Sequence, residues 1–183
     1  MYKNYIFDFY GTLVDIRTDE ANAVLWAKMS EIYSAWGAVY TAEELKKEYK
    51  KLVEAEAEKL PEHGEPDLRT VFADLFKNKD VACDESMVKG IAITFRALSR
   101  EKLYVYEGVK EALSELKKKG KGVYLLSNAQ TDFTRPEIEM MGLTEYFDDI
   151  FISSEAGYKK PSKEFYKRLL DTFSLDPKTC LMV

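Results

Sequence analysis

Tyr5-Ile6-Phe7-Asp8-Phe9-Tyr10-Gly11-Thr12-Leu13 is the stretch that decides the fold. The apolar run Tyr5-Ile6-Phe7 predicts a short buried strand. It ends on a carboxylate, Asp8, and is followed by the turn formers Gly11-Thr12. In open α/β sheets ligands gather beyond the carboxyl ends of strands, so this first element places an acid where function is expected.

Beyond it, from Thr18 to Leu98, the apolar spacing becomes helical. Leu25, Met29, Ile32, Tyr33 and Trp36 recur at steps of three and four. Thr41 with Glu44 predicts a capping box ahead of Leu45, Tyr49, Leu52 and Val53. Asp67 precedes Leu68, Val71, Phe72, Leu75 and Phe76, and Asp84 caps a stripe of Met87, Ile91, Phe95 and Leu98. Four amphipathic helices without a strand signal between them predict a small bundle. After Lys102 strands and helices alternate. A helix from Gly108 to Lys119 is stopped by Gly120, and Val123 to Leu126 is a strand. A short helix runs from near Arg135-Pro136 to Gly142, then the strand Ile150-Phe151-Ile152, a helix from Pro161 to Phe173, and a last strand, Cys180-Leu181-Met182-Val183. Strands alternating with helices predict a parallel sheet covered on both faces. The expected organisation is an α/β core of residues 1–16 plus 101–183, interrupted by a helical cap of residues 17–100.

Composition bounds the function. With 183 residues, 46% hydrophobic and 32% charged, the chain can bury a real core in one or two domains. A net charge of -5 leaves no general basic footprint, so a small anionic substrate is expected and nucleic acid is not. Cys83 and Cys180 have no disulfide-framework or zinc-like spacing, which fits a reducing cytoplasm. The start, Met1-Tyr2-Lys3-Asn4, enters the first strand without the apolar stretch of a signal peptide or membrane span.

Three polar groups are expected at the strand ends: Asp8, the Ser127-Asn128 pair, and Lys160, which stands directly before Pro161. A carboxylate can attack an electrophilic phosphorus or carbon and form a covalent intermediate that water later hydrolyses. A serine hydroxyl can hold a substrate oxygen. A lysine keeps the carboxylate ionised and offsets negative charge growing on the transferring group.

These residues carry a resemblance to the haloacid dehalogenase superfamily of hydrolases. Phe7-Asp8-Phe9-Tyr10-Gly11-Thr12-Leu13-Val14-Asp15 resembles its first motif, Leu126-Ser127-Asn128 its second, and Gly157-Tyr158-Lys159-Lys160-Pro161 its third, with Lys160 as the functional lysine. The resemblance implies a Rossmann-like core with a helical cap inserted after the first motif. It further implies Asp8 as nucleophile, Ser127 and Lys160 as catalytic partners, and Gly11, Thr12 and Asn128 as substrate-binding positions. Mg²⁺ would be held by Asp8 and the backbone carbonyl of Tyr10. Phosphatases of the family carry a second aspartate two residues after the nucleophile; here that position is Tyr10. Its dehalogenases share an Asp-x-Tyr-Gly-Thr pattern and need no metal, but they use an arginine on the first cap helix, and the segment from Asp19 to Trp36 has none. The family's acidic fourth motif would follow Leu181-Met182-Val183, so further C-terminal residues are expected.

Simpler roles compete at each position. Asp8 can cap a turn, Ser127 and Asn128 can cap a helix, Lys160 can be a solvated lysine, and Thr12 can merely close its turn. His63, in a polar Glu-His-Gly-Glu stretch, is read as exposed, and Lys117-Lys118-Lys119 as suited to a helix C-terminus. The leading expectation is phosphoryl transfer or hydrolysis on a small anionic metabolite. The alternatives are a 2-haloacid dehalogenase and a non-catalytic binding or regulatory protein that keeps the fold.

Overall fold

The computed structural model describes all 183 residues. In chain order the elements are β1 (Asn4–Phe7), β2 (Val14–Thr18), α1 (Ala23–Ala35), α2 (Ala42–Glu58), α3 (Leu68–Lys77), α4 (Glu85–Ser99), β3 (Arg100–Val105), α5 (Val109–Lys118), β4 (Gly122–Ser127), α6 (Thr131–Met140), β5 (Asp149–Ile152), α7 (Ser153–Ala156), α8 (Lys163–Thr172) and β6 (Cys180–Met182). They divide into two compact units: Met1–Ile16, Glu62–Glu65 and Lys102–Val183 form one, and Arg17–Pro61 with Pro66–Glu101 form the other.

The first unit is built on a parallel sheet in the order β5-β4-β1-β6. Strand side chains alternate between faces, so each strand feeds two cores. Phe7, Val123 and Leu125 pack with Leu113 of α5 and Ile138 of α6 on one face. Ile6, Tyr124 and Leu126 pack with Phe165 and Leu169 of α8 on the other. Burial of this kind stabilises by about 1.5–3 kcal/mol per large apolar side chain. Both faces are covered, as a parallel sheet requires.

The second unit is a bundle of α1 to α4. The Thr41–Glu44 capping box forms in full, and Asp67 and Asp84 cap the two later helices through their side chains. Its core is aromatic. Tyr33 lies against Phe76 with ring centroids 4.5 Å apart, and Phe72 against Phe95 at 5.4 Å. The buried phenols are satisfied by backbone carbonyls, Tyr33 donating to Phe72 at 3.0 Å and Tyr40 to Leu75 at 2.8 Å.

The structure corrects the expected elements in four places. Val14–Thr18 and Arg100–Val105 are strands that pair with each other, where none was expected. Each is short and carries charged residues, so neither shows an apolar run. Helix α6 begins at Thr131, four residues before Arg135, and takes Pro136 into its interior. Proline resembles a helix start because its missing N–H costs nothing there. In this chain the start is set instead by the Gln130 carbonyl, which accepts from the amides of Phe133 and Thr134 at 3.1 and 3.0 Å. Helix α8 begins after Ser162, whose hydroxyl accepts from the Glu164 amide, rather than at Pro161. The single turn α7, stopped by Gly157 at φ 76°, was not expected at all.

Candidate active site

Asp8 is the first residue past β1. Its amide donates to the Val183 carbonyl at 3.1 Å, which keeps the backbone in the sheet's ladder to the end. Past it the chain turns sharply, because the Phe9 carbonyl accepts from the amides of Thr12, Leu13 and Val14 at 3.3, 2.9 and 3.2 Å. Gly11 takes φ +77° in this turn with nothing within 4 Å of where a Cβ would stand. Backbone conformation, not space, therefore selects glycine.

The Lys160 ammonium lies 2.9 Å from Asp8 Oδ1, and the Phe9 amide donates to the same oxygen at 2.8 Å. Oδ1 is thus held from two sides. Lys160 is positioned through its own main chain: its N–H donates to Asn128 Oδ1 at 2.7 Å, and Asn128 Nδ2 donates to its carbonyl at 3.0 Å. The Asn128 amide is occupied in joining the loop after β4 to the loop before α8.

Ser127 ends β4 on the strand beside Asp8, paired in register with Ile152. It is 1% exposed and its Oγ has no hydrogen-bond partner. An unsatisfied buried hydroxyl costs about 1–3 kcal/mol, so this serine sits where folding alone does not favour it. Ser127→Ala is expected to leave stability unchanged or raise it by about 1 kcal/mol, read in urea unfolding, while turnover falls about 10²-fold.

Tyr10 turns its phenol toward α6. The hydroxyl donates to Glu137 Oε2 at 2.6 Å and lies 3.0 Å from Thr134 Oγ1. Both partners are buried, Glu137 at 2% exposure and Thr134 at 0%. Sequence reasoning missed them: three residues apart, they share a helix face, but a helix expected to start at Arg135 leaves Thr134 outside it. Tyr10→Phe removes a donor from a buried carboxylate and is expected to lower unfolding stability by about 1–3 kcal/mol, measured by denaturant titration.

A further segment belongs to this unit. Glu62–Glu65 runs against the chain before Lys160, with the Lys159 amide donating to the His63 carbonyl at 2.9 Å and the Glu65 amide to the Gly157 carbonyl at 3.1 Å. Gly64 and Tyr158 pair antiparallel between these two bonds. His63, at φ 62°, contributes its backbone; its Nε2 is 3.6 Å from Glu62 Oε1. Gln130 Nε2 donates to Glu65 Oε1 at 3.2 Å, while the Ser153 hydroxyl donates to the Ala129 carbonyl at 3.1 Å and accepts from the Ala129 amide at 2.8 Å. Burial pushes the Glu65 pKa up, outweighing Lys159, Ser153 and Gln130, which draw it down. Nothing in the polar sequence around Glu65 signalled this.

Magnesium prefers six oxygens at near-octahedral geometry. The expected donors here are the Asp8 carboxylate and the Tyr10 carbonyl, and no group of three His, Cys, Asp or Glu side chains gathers anywhere in the structure. Within residues 1–183 these two groups are the ones that would hold Mg²⁺, and no chemical step below is routed through a metal.

A parallel sheet with a carboxylate, an ammonium and a buried hydroxyl at its carboxyl edge defines an α/β protein with a candidate site there. A family model described as haloacid dehalogenase-like hydrolase matches residues 2–183, and the chain belongs to that family. Among curated relatives it is similar to the pyrophosphatase PpaX of Bacillus cereus, 26% identical over 133 residues, covering 63% of this chain and 62% of that protein. It is also similar to the phosphoglycolate phosphatase of Nitrosococcus oceani, 25% identical over 119 residues, covering 63% of this chain and 53% of that one. The chain thus spans less than two thirds of the length of these relatives. Among solved structures, L-2-haloacid dehalogenase from Xanthobacter autotrophicus shares the fold with a TM-score of 0.54 at 21% identity, over 100% of this chain and 69% of that one. No helix is long and apolar enough to cross a membrane.

Proposed function

We propose that this haloacid dehalogenase-like hydrolase transfers and hydrolyses the phosphoryl group of a small anionic metabolite, with Asp8 as the covalent nucleophile. The observation that carries this reading is the contact between Lys160 and Asp8. The ammonium 2.9 Å from Oδ1 and the Phe9 amide at 2.8 Å from the same oxygen occupy it and leave Oδ2 as the attacking atom. As the bond from Oδ2 to phosphorus forms, the bond to the leaving oxygen breaks, and Lys160 and the Ser127 hydroxyl meet the charge on the phosphoryl oxygens. Water then cleaves the aspartyl phosphate and restores Asp8. Asn128 serves as a positioning residue for Lys160, and Thr12 and Gly11 shape the turn beside the nucleophile. Phosphatase-named relatives support the choice of phosphorus over carbon. Two free cysteines, Cys83 and Cys180, support a reducing cytoplasm as the site of action.

One observation favours a second reading. Tyr10 stands two residues after the nucleophile, with its hydroxyl donated to Glu137, and a halide leaving group needs no proton. A 2-haloacid dehalogenase would use the same Asp8 on carbon. A panel of phosphate monoesters, diphosphates and acyl phosphates, with Mg²⁺ and with chelator, run beside 2-chloropropionate, separates the two by phosphate or chloride release. Phosphate release that Asp8→Asn eliminates supports the first reading, and chloride release alone overturns it. Equal inertness of wild type and Asp8→Asn on every substrate points to a binding protein.

A further inference from the structure

The position that would carry a proton donor is occupied by Tyr10, whose hydroxyl is bonded to a buried carboxylate. Expelling an alkoxide without a proton is slow, because a positioned general acid is typically worth about 10²–10⁴-fold. The structure holds another acid at the same sheet edge. Gln130, which donates to Glu65 at 3.2 Å, lies three residues beyond Ser127 on the loop after β4, and Ser127 is the register partner of Ile152 at the end of β5. Backbone pairing of Glu65 with Gly157, and of His63 with Lys159, ties the same segment to the chain that delivers Lys160. Neighbouring strands are about 4.8 Å apart, so the tips of β1 and β5 are separated by roughly 10 Å.

We infer that Glu65 is the general acid of this site, giving its carboxyl proton to the leaving oxygen when Asp8 attacks. This rests on the phosphoryl-transfer reading. In the first step Asp8 Oδ2 bonds to phosphorus, the bond from phosphorus to the leaving oxygen breaks, and that oxygen takes the Glu65 proton and departs as an alcohol. In the second, water attacks the aspartyl phosphate, Glu65 carboxylate takes the water's proton, and inorganic phosphate leaves with both carboxyls restored. The role needs a carboxyl that stays protonated higher in pH than a solvated glutamate, and burial acts in that direction. Of the groups facing it, Lys159 is the charged one; Gln130 and Ser153 are neutral. Pairing of the 63–65 backbone to residues 157–159 holds the segment that carries Glu65 beside the chain that delivers Lys160.

Glu65→Gln keeps the shape of the side chain and removes the proton. On an alkyl phosphate, kcat/KM is expected to fall about 10²-fold, while on acetyl phosphate, whose leaving group needs no proton, kcat/KM, which reports the transfer step, changes by less than about threefold even as kcat falls through the slower hydrolysis of the shared aspartyl phosphate. The wild-type rate on the alkyl ester should decline as pH rises through the Glu65 pKa, and that limb should vanish in the variant. Glu65→Asp, with a shorter reach, should recover part of the rate and the limb. Equal losses on both substrates, or no loss on either, overturn the assignment, and unchanged melting temperature separates lost chemistry from lost folding. Failure of the phosphoryl-transfer reading looks different: wild type and Asp8→Asn are then both inert on both substrates.

Discussion

Asp8→Asn is expected to reduce hydrolysis by about 10⁴-fold or more, the largest effect of any single substitution in this chain. The argument is chemical. The asparagine amide is nearly isosteric, yet its oxygen is neutral and its nitrogen carries no lone pair free for attack, so the covalent step is removed and not merely slowed. Its oxygen can still accept from the Phe9 amide, which donates to Asp8 Oδ1 at 2.8 Å, so the turn should persist. Lys160 is left facing an uncharged partner, with its side chain 14% exposed and that of Asp8 33% exposed. Because water reaches the pair, the change in folding stability should be small beside the change in rate. Two measurements check this. Phosphate release should fall to background under conditions where the melting curve of the variant overlays that of wild type. Rapid quenching of wild type with labelled substrate should trap label on Asp8, and the variant should trap none. Label trapped on the variant would sink the covalent role.

How much of this was legible in the sequence follows from where the information lies. The sheet could be read because β1 and β4 are continuous apolar runs, as strands buried on both faces must be. The helices of the bundle could be read because Thr41, Asp67 and Asp84 announce their starts. Strands β2 and β3 could not, because they pair with each other and each alone carries only a few apolar residues among charges. At the site, Asp8 and Lys160 were legible because each occupies a fixed offset from a turn-forming glycine or proline. Glu137 and Glu65 were not: what makes them notable is burial and partners brought from distant sequence, 127 residues for the Tyr10–Glu137 bond and 65 for the Gln130–Glu65 bond. Local pattern carries no trace of such pairings. A glutamate in a polar loop and one on a helix both look solvated until the fold encloses them.

Lys160→Ala is expected to lower turnover by about 10³-fold, second only to loss of the nucleophile. In the proposed mechanism the ammonium acts twice. In the resting site it sits 2.9 Å from Asp8 Oδ1 and holds the carboxylate with Oδ2 turned to the substrate side in the proposed mechanism. During transfer it faces an anionic phosphoryl group approaching an anionic nucleophile, a repulsion that a fixed positive charge offsets. Alanine removes both effects, so kcat should fall more than KM rises, since the charge is needed most when the new bond forms. Lys160→Arg tests whether geometry matters beyond charge. The planar guanidinium is larger, and the backbone that would carry it is pinned by Asn128 through bonds of 2.7 and 3.0 Å. Arginine should therefore restore only a small part of the rate. Asn128→Ala gives the complementary case, because it keeps the ammonium but frees its backbone. Loss there should be partial, and if the lysine acts only through its position relative to Asp8, combining Asn128→Ala with Lys160→Ala should cost no more than Lys160→Ala alone. Additive losses in that double-mutant cycle, measured as kcat/KM, would mean that Asn128 touches the substrate itself.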